Sequence, residues 1–383
     1  MKIHYYDFVA SGGVHTSFNA AMIEVLRKVY PENKGVVLHS EKEHSKIVAE
    51  KLSDKTIIQK SWRILFSKIV CFSKIRDLLS SIYLFFAIIC AKNCDVFYIA
   101  LAFPFAVNTA FAISKVFHKK LFITLHGELQ FLLDNDPKIY EQKHNWYFRS
   151  EKKSFSKFNK YVTWVLLGEP IFNAVKDFFN QNAKIICINH PAILKENIHF
   201  TKKTNEPVVI GHIGGAMERK GSHSLFRIAE LLEDEIKKGK VVFSCGWCLP
   251  NFDASLSKNL VQYYTRPLSE SEMKSEIERM DFSLQLTTDS ICRAVASGAL
   301  IDSLSNSIPV IGLHSSYLDY YMQGEQKKFI FNNEKEIAEK IKNDILSHNY
   351  DSDSLCKTVW NIRNLFSISY NAELFSKQME NIK

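Results

Sequence analysis

Short apolar runs alternate with helical patterns along almost the whole chain, and no other feature restricts its fold as strongly. This alternation is typical of α/β layers, in which helices cover a parallel sheet. The run LFITL at 121–125 is apolar on both sides, as expected of a strand covered on both faces. The first half predicts strands at 3–6, 35–39, 96–100, 121–125, 161–167 and 185–188, and helices at 16–29, 61–90, 106–117, 136–158 and 170–180.

The alternation occurs twice, on either side of a polar, turn-rich stretch at 195–207, KENIHFTKKTNEP. A chain of 383 residues is also longer than one hydrophobic core usually serves. We therefore expect an α/β protein with two Rossmann-like domains, 1–197 and 207–364, that face each other across a ligand cleft, followed by a helical segment at 365–383. The second half predicts strands at 208–212, 241–245, 262–264, 282–285 and 309–312, and helices at 222–236, 270–279, 297–304 and 355–379.

Charge and composition exclude some function classes. The chain has 49 Lys and Arg against 41 Asp and Glu, a formal net charge of +8. These basic residues are dispersed, and neither zinc-finger spacing nor an RNA-binding aromatic motif accompanies them. We expect no nucleic-acid partner.

The cysteines indicate a reducing compartment. The eight cysteines lie mostly in apolar runs, and MKIH at the start leads directly into a strand-like segment instead of a signal peptide. This predicts a cytoplasmic protein with buried free thiols. Cys245 and Cys248 form the only CxxC pair, a weak metal or redox signal without a second pair or a nearby His. We interpret it as a strand end followed by a glycine turn.

Residues 61–90 allow two interpretations. Their most apolar part, 78–91, has about 14 residues and is too short to span a bilayer. Upstream, SWRILFSKIVCFSKIR interleaves large apolar residues with Lys and Arg. It is either an in-plane helix on the inner, anionic face of a membrane or a helix that packs its apolar stripe on a sheet. The first interpretation predicts a peripheral membrane contact through 61–90.

Residues 287–312, TTDSICRAVASGALIDSLSNSIPVIG, carry the most functional information. A polar loop leads through Arg293 to Ser297-Gly298, then to a helix with Asp302 and a short apolar strand. Small residues before a helix let backbone amides approach an anion, and the helix dipole favours negative charge there. Asp302, one turn into the helix, is placed to bind sugar hydroxyls. This pattern favours a nucleotide-sugar diphosphate.

Three further loops follow predicted strands, at the end of a parallel sheet where ligands gather. The loop after strand 208–212 combines two glycines with two cations, which would offset the charge that develops on a departing diphosphate. The loops are Ser11-Gly12-Gly13, His126-Gly127-Glu128, and the segment 210–221 with Gly214, Gly215, Arg219 and Lys220.

Segments 121–128, 210–221 and 287–312 resemble, in this order, three motifs of GT-B glycosyltransferases, in particular bacterial enzymes of the retaining, family-four type. The resemblance implies that the second domain binds the donor through Gly214, Gly215, Arg219, Lys220, Arg293, Ser297, Gly298 and Asp302. It implies that the Gly12-Gly13 loop faces the acceptor and the donor phosphate, and that His126 contacts the donor sugar. Glu128 would be a base or an acceptor contact. The C-terminal helix would cross back to the first domain.

Two positions depart from the family pattern. Gly215 stands where the family usually has an arginine, so the missing charge would come from Arg219 or Arg293. Ala294 stands where many retaining members have a glutamate, and Ala294 cannot act as a carboxylate. An Arg and Ser-Gly before an aspartate, as in a neighbouring bacterial subgroup, match Arg293, Ser297 and Asp302.

We therefore expect a hexosyltransferase-type enzyme that moves a sugar from a nucleotide-diphosphate sugar to a saccharide or lipid-linked saccharide, in bacterial surface polysaccharide (O-antigen or capsule) assembly. We interpret Asp134 and Asp136 as solvated loop or cap residues and not as a metal-binding pair, and we expect no metal and no cofactor. Retention of configuration is slightly favoured. The alternatives are a nucleotide-sugar 2-epimerase of the same fold and a catalytically weak sugar-binding protein.

Overall fold

Two compact units, each built on one parallel sheet, make up the protein. The first unit comprises Met1–Ile193, Ala294–Ala296 and Ser367–Lys383, and the second Leu194–Arg293 and Ser297–Phe366. This architecture confirms the predicted α/β class with two parallel-sheet domains. The computed structural model describes residues 1–54, 57–60, 73–133, 152–195, 207–249, 252–253 and 255–382.

The first unit has a seven-stranded sheet in the order β3-β2-β1-β4-β5-β6-β7. Strand β1 pairs with β2 on one side and β4 on the other, so that Ile3 lies opposite both Val36 and Val96. The strand order reverses between β1 and β4, and ligands of such sheets bind at this switch point. The strands are β1 (Ile3–Asp7), β2 (Val36–His39), β3 (Ile58–Lys60), β4 (Val96–Leu101), β5 (Leu121–Leu125), β6 (Val162–Leu167) and β7 (Lys184–Ile188).

Helices cover this sheet, and a buried carboxylate fixes the start of one of them. Asp77 is fully buried and accepts hydrogen bonds of 2.8 Å from the amides of Phe105 and Ala106, which open a helix with Pro104 at its first position. The helices of the unit are Thr16–Val29, Lys42–Lys51, Ser73–Cys90, Pro104–Phe117, Gln130–Leu133, Lys152–Phe155, Glu169–Val175 and Ile368–Asn381, with 3-10 turns at Gly127–Leu129 and Lys176–Phe178.

The C-terminal helix belongs to the first unit, as the sequence predicts. The amide side chain of Gln378 accepts a hydrogen bond from the backbone N–H of Cys187 and donates one to its carbonyl, both at 2.7 Å. Phe375 is fully buried beside Phe122, with ring centroids 5.3 Å apart. The helix therefore closes the β7 edge of the sheet with side-chain hydrogen bonds and buried apolar surface.

The prediction of one continuous helix at 355–379 is wrong. Two helices, Ser352–Asn364 and Ile368–Asn381, are separated at Phe366-Ser367. The Ser367 hydroxyl accepts a hydrogen bond from the Tyr370 amide, which makes Ser367 the N-cap of the second helix. Its backbone forms a parallel bridge with Ala192. A serine within a helical apolar pattern thus marks the start of a second helix.

The second unit has a six-stranded sheet in the order β10-β9-β8-β11-β12-β13. Its switch point lies between β8 and β11. The strands are β8 (Val208–Gly215), β9 (Val241–Trp247), β10 (Val261–Tyr263), β11 (Phe282–Gln285), β12 (Val310–Leu313) and β13 (Ile330–Phe331). The helices are His223–Leu231, Glu233–Lys237, Glu270–Glu278, Gly298–Ser305, Ser316–Tyr321, Gly324–Lys327, Glu334–Lys340 and Ser352–Asn364, with a π turn at Ile341–Ile345 and 3-10 turns at Glu218–Lys220 and Lys258–Leu260.

Parts of two predicted helices lie outside the described residues. Of the helix predicted at 61–90, the structure describes Ser73–Cys90, and of that at 136–158 it describes Lys152–Phe155 as helical. Within the described ranges, none of the helices has the length and hydropathy needed to cross a bilayer.

Candidate active site

The glycine loop at the end of β8 holds a lysine ammonium. Gly214 has φ +87°, a conformation that favours glycine, and a Cβ there would lie 2.4 Å from Lys220 Nζ. The same ammonium donates to the carbonyl of Ile213 at 3.2 Å. Burial lowers the pKa of Lys220, and Asp302 counteracts part of this effect. The structure therefore brings Gly214 and Lys220 together at the switch point of the second sheet.

Position 215 must be a glycine because of a neighbouring aromatic side chain and not because of its own φ angle. A Cβ at Gly215 would lie 2.1 Å from Cε2 of Trp247, because the indole packs directly on this glycine. Any larger residue, including the arginine of the family pattern, would displace the indole. The two other candidate cations, Arg219 and Arg293, are exposed.

Helix Gly298–Ser305 starts with a capped turn. The Ser297 hydroxyl accepts from the Leu300 amide at 3.2 Å and donates to Gln285 Oε1 at 3.1 Å. Because a hydroxyl has one proton, the Ser297 side chain has none left for a phosphate, and a ligand would meet backbone N–H groups here. Gly298 and Asp302 are exposed, and a Cβ at Gly298 would meet no atom within 4 Å.

Ala294 is fully buried and lies in the first unit. Its backbone N–H donates to Gln130 Oε1 at 2.9 Å. The departure from the family's glutamate therefore coincides with a position whose side chain is enclosed.

His212, a neutral histidine near the glycine loop, was not predicted from the sequence. His212 Nε2 contacts the Ser222 hydroxyl at 2.9 Å, and this hydroxyl accepts from the Met217 amide at 3.0 Å. Burial, with a smaller contribution from Lys220, lowers the pKa of His212 to about 3. An uncharged imidazole thus supports the turn that carries Arg219 and Lys220. The only sequence signal was a polar residue in the apolar run VVIGHIGG.

His126 lies just after β5, where the sequence predicts a catalytic residue. Its ring is edge-on to Phe18 and His15, at centroid distances of 4.7 and 5.3 Å. Burial lowers its pKa well below the usual range, with neighbouring His15 and His190 acting in the same direction. Its Nε2 is buried and has no hydrogen-bond partner among the described residues. A neutral imidazole with an unused nitrogen is suited to bind a hydroxyl. The side chain of Glu128 lies outside the described residues.

A buried polar network shapes the Gly12-Gly13 loop, and sequence reasoning missed its members. Asp7 Oδ1 accepts from the amides of Val9 and Ala10, and Asp7 Oδ2 accepts from Asn19 Nδ2 at 2.7 Å. His44 Nδ1 lies 3.0 Å from the Gly12 carbonyl. A Cβ on Gly12 or Gly13 would meet no atom within 4 Å, so both glycines border open space.

The described residues show the protonation state of Cys245 and whether side chains converge as metal ligands. Burial raises the pKa of the Cys245 thiol to about 12, and its Sγ donates to the Gly214 carbonyl at 3.4 Å. Cys245 is thus a neutral thiol that supports the glycine loop. Within the described part of the chain, no three His, Cys, Asp or Glu side chains converge as metal ligands. The expectation that no metal or cofactor is needed stays a prediction.

Comparison with known proteins shows the fold. No protein-family model matches the sequence, and no curated protein is significantly similar to it. Among solved structures, HepE of Anabaena in complex with UDP-glucose has a TM-score of 0.63 at 12% identity, covering 100% of both chains. The protein has the GT-B glycosyltransferase fold.

Two other GT-B structures match over similar lengths. The lipopolysaccharide outer core galactosyltransferase WaaB, in its apo form, has a TM-score of 0.61 at 10% identity and covers 100% of this chain and 99% of its own. Sucrose-phosphate synthase from Thermosynechococcus elongatus has a TM-score of 0.63 at 11% identity and covers 100% and 98%. These matches confirm the GT-B fold predicted from the three motifs, while the retaining, family-four type stays a prediction.

Proposed function

We propose that the protein transfers a sugar from a nucleotide-diphosphate sugar to a saccharide or lipid-linked saccharide acceptor. The observation that carries this proposal is the Lys220 ammonium, held against Gly214 at the switch point of the second sheet. A cation at such a point is suited to a diphosphate. In support, the similar structure of HepE contains UDP-glucose, and another of the same protein contains UDP and glucose.

In this proposal the second unit binds the donor. The backbone at Gly214 and Gly215 and the Lys220 ammonium contact the diphosphate, with Arg219 and Arg293 adding charge from exposed positions. Backbone amides at Ser297-Gly298 provide further donors, and Asp302 accepts hydroxyl protons of the ribose. These groups lower the barrier because they stabilise the negative charge that grows on the leaving diphosphate.

The first unit provides the acceptor-side groups of the proposed enzyme. His126 offers an uncharged nitrogen to a sugar hydroxyl, and the open backbone at Gly12 and Gly13 admits the acceptor. Glu128 is the candidate base or acceptor contact. Retention of configuration stays slightly favoured, and an inverted anomeric signal in the NMR spectrum of the product would contradict it.

The donor and the activity are tested together. Purified protein is incubated with UDP-, GDP-, ADP-, CMP- and dTDP-sugars, with and without mono- and disaccharide acceptors, and products are identified by mass spectrometry. We expect one donor to release its nucleotide faster when an acceptor is present, with the acceptor gaining one sugar. A changed sugar without any acceptor would instead indicate an epimerase. Binding without turnover across the panel would indicate a sugar-binding protein.

We further propose that the enzyme works at an anionic membrane surface, in bacterial surface polysaccharide assembly. Helix Ser73–Cys90 buries Leu84 and Ile88, yet its other side exposes Leu78 and Phe86 at 57% and 60%. The neighbouring helix Pro104–Phe117 adds exposed Val116 and Phe117. Exposed Lys74 and Lys115 lie on the same two helices, which suits acidic lipid headgroups.

Charged substitutions on this surface are expected to weaken vesicle binding strongly. The double variant Leu78→Glu, Phe86→Glu removes apolar area and repels acidic headgroups, so its co-sedimentation with phosphatidylglycerol vesicles should fall at least about tenfold. Vesicles of phosphatidylcholine should bind wild-type protein weakly, and Lys237→Ala, in the second unit, serves as the control. Equal sedimentation of the double variant and wild type would contradict the membrane contact.

A further inference from the structure

A cavity in the second unit is lined by residues that do not belong to the proposed donor site. It has a volume of about 600 Å³ and opens where the segment after β8 meets the segment after β9. This volume lies in the range of small-molecule sites. Its walls include Trp247, Phe252, His223, Asp253 and Glu218.

Aromatic rings form one side of this cavity. Trp247 is fixed from behind, because its indole packs on Gly215, where not even a methyl group would fit. Phe252 packs on the ring of His223 with centroids 4.8 Å apart. Fixed aromatic faces can bury the apolar C–H surface of a flat ligand at little entropic cost.

The polar side of the cavity is acidic. His223 Nε2 lies 3.3 Å from Asp253 Oδ2, while the Ser255 hydroxyl and amide donate to Asp253 Oδ1 at 2.6 and 3.0 Å. The hydrogen bonds from Ser255 lower the pKa of Asp253, so this group is a carboxylate at neutral pH. Glu218 adds a second carboxyl group, and none of the described lining residues is Lys or Arg. The described lining therefore offers no Lys or Arg to a phosphate, although Lys258 lies close enough to act on Asp253.

We infer that this cavity is a subsite for an uncharged sugar ring. Trp247 and Phe252 cover the C–H face of the ring, Asp253 accepts hydroxyl protons, and His223 binds a further hydroxyl. This subsite would explain Gly215. At the position where the family usually has an arginine, a glycine leaves room for the Trp247 indole, which forms one wall of the cavity. The inference rests on the proposed function, because the ring belongs either to the donor or to the acceptor.

The test keeps nucleotide and sugar binding separate. Full-length protein saturated with UDP is titrated with methyl α-glucoside, methyl α-galactoside and N-acetylglucosamine, and both ligand types are followed by saturation-transfer difference NMR. We expect at least one sugar to bind. Asp253→Asn and Trp247→Ala should weaken it about fivefold or more, and Asp253→Asn should change UDP affinity less than about twofold. Trp247→Phe, which keeps an aromatic face, should recover most of the sugar binding.

Each outcome decides between the two proposals. If UDP binds but no sugar binds, or the variants leave sugar affinity unchanged, the subsite is refuted while the donor site stands. If the variants weaken sugar binding in a protein that binds no nucleotide diphosphate, the subsite stands and the proposed function fails. Tighter binding of glucose 6-phosphate than of methyl glucoside would also refute the subsite.

The source of the ring follows from replacing UDP by UDP-glucose. A donor sugar in the cavity would exclude the methyl glycoside, whereas an acceptor subsite would bind it together with UDP-glucose.

Discussion

Replacing Lys220 by alanine is expected to weaken UDP binding by about 10- to 100-fold and to lower kcat/KM by about 10²- to 10³-fold. The reason is geometric, since Lys220 Nζ is held over Gly214 by its bond to the Ile213 carbonyl. Its burial leaves the ammonium poorly hydrated, so a diphosphate would regain more interaction here than at an exposed lysine. Isothermal titration with UDP measures the first effect, and initial rates measure the second.

Lys237 provides the matched control for this experiment. It belongs to the same unit and pairs with Glu233 at 2.8 Å on an exposed helix. Lys237→Ala should bind UDP as wild type does. Because Lys220 also supports the loop, the melting temperature of the ligand-free variant is measured alongside. A folded Lys220→Ala protein with wild-type UDP affinity would remove this residue from the donor site.

The fold could be predicted where burial leaves a pattern in the sequence. Strand β5, LFITL, is buried on both faces, and its apolar run indicates a strand without any tertiary information. The edge strand β3 leaves no such pattern. All three residues of β3, Ile58–Lys60, are exposed, so nothing in the sequence distinguishes them from a loop. Ser367 was predicted inside a helix, because its role as an N-cap shows only in the hydrogen bond that its hydroxyl accepts from the Tyr370 amide.

Only those features of the candidate site that depend on local backbone conformation could be predicted from the sequence. Glycines after a strand and small residues before a helix are local features, which is how Gly214 and Gly298 could be recognised. The groups that position them come from elsewhere in the chain. Asn19 and His44 hold the loop after β1 over separations of 12 and 32 residues, and Trp247 reaches Gly215 from the neighbouring strand. Such contacts form only in the assembled sheet, so no spacing of residues along the sequence predicts them.

Acid is expected to destabilise both units through buried neutral histidines. Burial lowers the pKa of His190 in the first unit to about 4 and that of His212 in the second to about 3. In the unfolded chain both titrate near 6.5. Between these values the unfolded state binds more protons, so stability is complete above pH 6.5 and falls as the pH decreases towards the folded pKa. At pH 5 each histidine should cost about 2 kcal/mol relative to pH 7.5.

Urea unfolding at pH 7.5 and pH 5 measures this loss, with separate probes for the two units. His212→Gln should flatten the pH dependence of the second unit by about 2 kcal/mol, and His190→Gln should do the same for the first. At pH 7.5 each variant reports only its lost packing and hydrogen bonds, which separates the structural cost from the proton linkage. His39 and His126, whose pKa values burial also lowers, add to the acid sensitivity of the first unit. A pH dependence unchanged by either substitution would show that these imidazoles are protonated in the folded state.

The same titration distinguishes a role of His126 in binding from one in folding. Its neutral form is the one able to accept a hydroxyl proton at Nε2, and a charged imidazole beside His15 and His190 would be repelled. The folded protein should therefore stay active through the range in which stability falls, and activity should decline only as the pH approaches the lowered folded pKa of His126. His126→Asn keeps a neutral polar group, so it should leave the unfolding free energy within about 1 to 2 kcal/mol of wild type while it lowers kcat/KM. If the variant loses stability but keeps kcat/KM, His126 is a core histidine and its position after β5 has only a structural role.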